Sequence, residues 1–125
     1  MEDSILKSTK KILGIAEDYT AFDLDIITHI NSTFSILSQI GIGPVYGFAI
    51  EDDVALWSDI NLPRNELGMV RTYMFLKVRM LFDPPATSFL IEAMNKQIEE
   101  FEVRLSYIRE GLIPMPVVEE VDVYD

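Results

Sequence analysis

The stretch Met69–Glu110 constrains this chain more than any other. It reads MVRTYMFLKVRMLFDPPATSFLIEAMNKQIEEFEVRLSYIRE, with two helical patterns on either side of one hard break, Asp83-Pro84-Pro85. The first pattern, Glu66–Phe82, is apolar almost all round. Leu67, Val70, Met74, Val78 and Leu81 make one stripe, Phe75 and Phe82 share another face, and Tyr73, Leu76 and Met80 fill in between. Such a helix must be covered on every side, by the rest of the chain or by other copies of it. No acid stands between Glu66 and Asp83. The basic groups Arg71, Lys77 and Arg79 are therefore expected to meet carboxylates elsewhere in the fold or in a neighbouring subunit, and arginine suits two-pronged pairing.

Pro85 bars Pro84 from the helical region, so the chain must turn. The next helix starts somewhere in Pro84–Phe89, with Thr87 or Ser88 as alternative caps. Leu90, Met94, Ile98, Phe101, Leu105 and Ile108 then step by 4, 4, 3, 4 and 3 to make one clean stripe. Glu92/Lys96 and Glu100/Arg104 are favourable pairs on its other faces. A stripe this short predicts an antiparallel hairpin with the central helix rather than a free coiled coil. Gly111 is the stop.

Ahead of the hairpin, Asp3–Leu13 reads as a short helix capped by Asp3 or Ser4 and ended by Gly14. Lys7, Lys10 and Lys11 fall toward its C-terminal end and read as a solvated helix end. Thr20-Ala21-Phe22-Asp23 fits a capping pattern for a second helix running to about Gln39. Its main face is Leu24, Ile27, Ile30, Phe34, Leu37 and Gly41, with Ile26, Thr33, Ile36 and Ile40 as a weaker second row. His29, the one histidine, has Asp25 at i−4 and reads as a structural or surface histidine. Between Gly43 and Gly68 the pattern is irregular. Tyr46, Phe48 and Ile50 alternate, which suggests one short strand. Asp52 or Asp53 can cap a helical turn over Val54–Ile60, in which Trp57 plugs the core. Glu51-Asp52-Asp53 fails the EF-hand spacing, because Val54 and Leu56 stand where ligands are needed.

Composition narrows the function. The chain has 125 residues and a net charge of −11 with no cysteine. A fold this acidic repels phosphate backbones. Thiolate metal sites and cysteine nucleophiles are excluded. The start MEDSILKSTKK lacks the pattern of a signal peptide. No window reaches the roughly 18 apolar residues of a membrane span. Nucleotide loops and nucleophile elbows are absent, so no catalytic, cofactor or metal residue is assigned and no enzyme is expected. The fold expected is mainly α: a small helical bundle on a long antiparallel helix hairpin, with a short irregular or extended insert. Residues 1–111 form the helical domain and residues 112–125 an extended acidic C-terminal tail. The tail, with Pro116, Val117, Val118, Val121, Val123 and Tyr124, fits both a frayed end and a strand added to a partner. Excess apolar helix surface points to oligomerisation.

The segment Tyr73–Pro85, followed by Glu100-Phe101-Glu102-Val103-Arg104-Leu105, resembles the head–tail connector proteins of tailed bacteriophages, the adaptor or head-completion proteins beneath the portal. Trp57-Ser58-Asp59 and Asp18–Asp23 agree with the same group. The resemblance implies a structural virion protein forming a ring, typically twelvefold, between the portal and a tail, stopper or neck protein. DNA would pass through its channel without specific binding. It also implies assembly in the host cytoplasm, no cofactor and no membrane partner. The tail from Pro116 to Tyr124 would dock on the portal, and Arg71, Phe75, Arg79 and Phe82 are candidates for subunit contacts. The alternative is a small acidic regulator or DNA mimic that binds a host nucleic-acid enzyme.

Overall fold

A computed structural model describes residues 3–110, in which four α-helices and one 3₁₀ turn form a bundle. Helix α1 spans Ile5–Ile12, α2 Asp23–Ile40, α3 Arg64–Phe82 and α4 Ser88–Arg109, with the 3₁₀ turn at Trp57–Ile60. No strand occurs among the described residues. The expected helical bundle and its α3–α4 hairpin are both present.

Local chemistry fixes the ends. The Ser4 hydroxyl accepts from the Lys7 amide and caps α1, while Gly14 turns the chain at φ +79°. The Pro63 ring, with φ −56°, leads into α3, so that helix opens at Arg64, earlier than its apolar pattern. The Thr87 hydroxyl accepts from the Leu90 amide at 3.3 Å and opens α4. Gly41 ends α2 in the left-handed region, at φ +100°.

The core is one cluster. Ile26, Ile30, Phe34 and Leu37 of α2 meet Val70, Tyr73, Met74 and Val78 of α3. Ile98 and Leu105 of α4, Ile5 and Leu6 of α1, and Trp57 complete it. Trp57 is 1% exposed and is the plug its apolar setting predicts.

Several expectations change. Leu24 is 76% exposed, and the buried row of α2 runs through Ile26 and Thr33 instead. The helix begins too late for Thr20 to cap it: Phe22 holds the cap position with no side-chain bond, and Asp23 turns to Lys10. The strand expected at Tyr46–Ile50 does not form, and Tyr46 is wholly exposed. Ile50 finds its backbone partner in one side chain. The Asn31 amide donates to Ile50 O at 3.0 Å, and Asn31 Oδ1 accepts from Ile50 N at 2.8 Å. A carboxamide thus satisfies both backbone groups without a ladder. Asp52 Oδ1 accepts from the Val54 amide at 2.9 Å, so it caps a turn, and the helical part starts later, at Trp57. Leu81 is 48% exposed, so α3 is not covered all round by its own chain. Neither Glu92/Lys96 nor Glu100/Arg104 closes to an ion pair. Among the described residues those are Lys7 with Glu17 and Asp53, Lys10 with Asp23, and Arg71 with Asp3.

Candidate assembly surfaces

The bundle has two poles. At one, α3 ends and α4 begins. There the Phe82 ring meets Phe22 edge-on, with centroids 5.3 Å apart. Tyr19 lies 5.7 Å from Phe22, and His29 lies 6.5 Å from Phe82. Tyr19 and Phe22 remain 51% and 41% exposed, which leaves an aromatic surface at the start of α2. Arg79 Nε donates to Asp83 O at 2.5 Å and closes the end of α3.

Toward the other pole, Arg71 forms a two-pronged pair with Asp3. Its guanidinium lies 5.3 Å from the Trp57 ring centre and 6.0 Å from that of Phe75. Trp57 and Phe75 meet at right angles, 5.9 Å apart. A planar cation can pair and stack at once, which an ammonium cannot match. At about 100° per residue, Arg71, Phe75, Arg79 and Phe82 fall within an arc of about 80° on one side of α3. The four therefore share a face but split between two settings. Arg71 and Phe75 tie α3 to the chain's beginning, and Arg79 and Phe82 finish the hairpin pole.

Lys10 is where the sequence misleads most. Rather than lying in solvent, it is 2% exposed. Its ammonium donates to Glu17 O at 3.1 Å and Tyr19 O at 2.7 Å, and stands 2.8 Å from Asp23 Oδ1. Three donors meet three acceptors. The buried Asp23 Oδ1 has no other bond, so the ammonium is what compensates it. This clamp holds the α1–α2 linker in place, and with it the Tyr19–Phe22 surface. No periodicity marks such a lysine, because its acceptors are mostly backbone carbonyls.

The end of α4 is also fixed. A Cβ on Gly41 would come within 2.8 Å of the Arg109 side chain, so the end of α4 lies against the end of α2. Partial burial holds the Glu66 carboxyl above its ordinary range, and the Arg109 charge lowers it in part. Between the hairpin helices, the Tyr73 hydroxyl donates to Glu102 Oε2 at 2.7 Å. Burial first, then that bond and the Glu102 charge, push the Tyr73 hydroxyl well up. The tail residues Pro116, Val117, Val118, Val121, Val123 and Tyr124, and the stop at Gly111, lie outside the described residues.

The family model for phage connector proteins matches residues 5–111, which takes in all four helices. This chain belongs to the phage connector protein family. No curated protein and no solved structure matches it. A phage connector is a structural component of the virion neck, joining head to tail, and not an enzyme. Among the described residues no helix is long and apolar enough to cross a membrane. Of the exposed aromatics, Tyr19 and Phe22 stand in the Asp18–Asp23 segment that carries part of the resemblance; their place beside Phe82 was not legible there.

Proposed function

We propose that this connector protein assembles as a twelvefold ring on the portal, extends the DNA channel and presents a platform to the next stopper, neck or tail protein. Membership of the phage connector family carries this reading. The exposed apolar surface supports it: Tyr19, Phe22, Leu24 and Leu81 are too open for a chain that works alone. In the ring, the side of α3 bearing Arg71, Phe75, Arg79 and Phe82 lies at the seam between subunits. Residues 112–125 form a separate tail, and Pro116–Tyr124 docks on the portal. A net charge of −11 suits a channel wall that must not grip passing DNA. Assembly takes place in the host cytoplasm, before the neck is complete.

Electron microscopy of the protein with and without portal tests this directly. The expected result is a symmetric ring bound to the portal. Particles that stay monomeric with portal present would sink the proposal. Removing Pro116–Asp125 should leave the helix content intact and weaken portal attachment. Undiminished attachment would strip the tail of its docking role.

A further inference from the structure

Helix α4 carries a second stripe. Opposite its buried face stand Phe89, Ala93, Lys96, Glu100, Val103 and Tyr107, at steps of 4, 3, 4, 3 and 4. All six are exposed, Phe89 at 77%, Val103 at 48% and Tyr107 at 43%. Shallow grooves run along the stripe between Phe89 and Val103. Spacing of this kind is that of a helix-pairing seam. It is read the same way from either end, with its midpoint at Ile98. What distinguishes this stripe is the match of residue types about that midpoint.

We propose that α4 pairs through this stripe with α4 of a second copy, antiparallel and about a two-fold axis near Ile98. Phe89 then meets Tyr107 of the second copy, Ala93 meets Val103, and Lys96 meets Glu100. Each layer occurs twice. The outer layers are aromatic on aromatic, the next are small against branched, and the innermost are opposite charges. In a parallel pairing Lys96 would instead face Lys96, and Glu100 would face Glu100, so charge selects the antiparallel arrangement. The seam covers about 27 Å of helix. A contact between two single helices is small, so the dimer is weak and depends on concentration. Glu99 of both copies comes together at the rim, and the chain's net charge of −11 adds repulsion. A two-fold contact closes on itself and cannot propagate into a ring. The pairing is thus a state of free subunits and does not rest on the ring reading.

The chain's lack of cysteine allows a clean test of register. In the antiparallel dimer, position 93 meets position 103 of the second copy, whereas like positions stand about 15 Å apart. Under oxidising conditions, a mixture of A93C and V103C full-length proteins should form disulfide-linked dimers, and either protein alone should not. Linking by either variant alone would overturn the antiparallel register. Sedimentation velocity from micromolar to near-millimolar concentration should show a monomer–dimer equilibrium. K96E should weaken it by about tenfold, since two opposite-charge layers become like-charge layers. The charge-swapped K96E/E100K protein should recover it. A monomer throughout the concentration range, or a dimer indifferent to K96E, would overturn the proposal. These positions are exposed, so circular dichroism should report unchanged helix content in every variant.

Discussion

Helices α4 and α1 are fastened to the same core by different means. The inner face of α4 presents a long apolar stripe, buried most deeply at Ile98 and Leu105, with a hydrogen bond from Tyr73 to Glu102. Helix α1 is a third as long and inserts Ile5 and Leu6. Its other ties are polar. Ser4 Oγ donates to Asp53 O at 2.8 Å, Trp57 Nε1 donates to Ser8 Oγ at 2.9 Å, Arg71 pairs with Asp3 across its start, and Lys10 clamps its end. Apolar burial has no preferred direction and tolerates small shifts. Polar ties fix direction, and a missing partner leaves a desolvated group behind. The long helix therefore supplies stability, whereas the short one sets where the following linker and its Tyr19–Phe22 surface lie.

The difference can be broken from either side. Leu105 is fully buried, and Leu105→Ala should cost about 2–5 kcal/mol in chemical unfolding, through lost burial and the cavity left behind. Leu105→Asp should abolish folding, because a lone charge there has no partner. Lys10→Ala tests the polar side. Breaking a fully buried pair costs about 3–5 kcal/mol, but the Asp23 side chain keeps 27% exposure, so a loss of roughly 2 kcal/mol is expected. The two variants should also differ in kind. Leu105→Ala should raise amide exchange throughout the bundle, and Lys10→Ala should raise it first in residues 13–23. Uniform exchange in the lysine variant would show that the clamp is ordinary core support.

This contrast also explains what could be read in advance. The α4 stripe and the break at Asp83-Pro84-Pro85 were legible because burial along a helix repeats and proline acts locally. The limits of α1 were legible for the same reason, from Ser4 and Gly14. The roles of Lys10, Asn31 and Asp23 were not. Each is decided by a partner that tertiary structure delivers: two carbonyls in a turn, the backbone of Ile50, an ammonium from another helix. Leu24 failed differently. It matches the helical period as well as Ile26 does, and only the position of α3 decides between them. At the candidate surfaces, Arg71 was legible as an arginine in need of a carboxylate, but nothing local pointed to Asp3.

Tyr73→Phe removes the hydrogen bond to Glu102 across the hairpin while keeping the ring in the core. A loss of about 1 kcal/mol is expected at neutral pH. The pH dependence is more specific. In the fold the hydroxyl holds its proton more tightly than at its ordinary value of 10.0. That preference stabilises the protein fully below about pH 10 and is lost as pH rises toward and through the raised folded value. The stability difference between the parent and Tyr73→Phe should therefore be flat from neutral pH to about 10 and shrink above it. A difference that stays constant in strong alkali would mean that the fold does not raise the Tyr73 hydroxyl above its ordinary value.

The smallest effect belongs to Glu66, at the start of α3 beside Arg109. Its carboxyl is raised from the ordinary 4.5, with burial outweighing the attraction of the arginine. A raised carboxyl contributes most favourably below its unfolded value, and that contribution is lost as pH rises through the folded one. At neutral pH Glu66 is then a slight burden, softened because it is only partly buried. Glu66→Gln removes the desolvated charge together with the weaker pull of Arg109. A small rise in melting temperature is expected at pH 7, and none at pH 4, where the parent carboxyl is already largely protonated. If the variant melts lower at pH 7, the arginine outweighs burial. The end of α4 would then be held to α3 by charge, as α1 is, rather than by the apolar stripe alone.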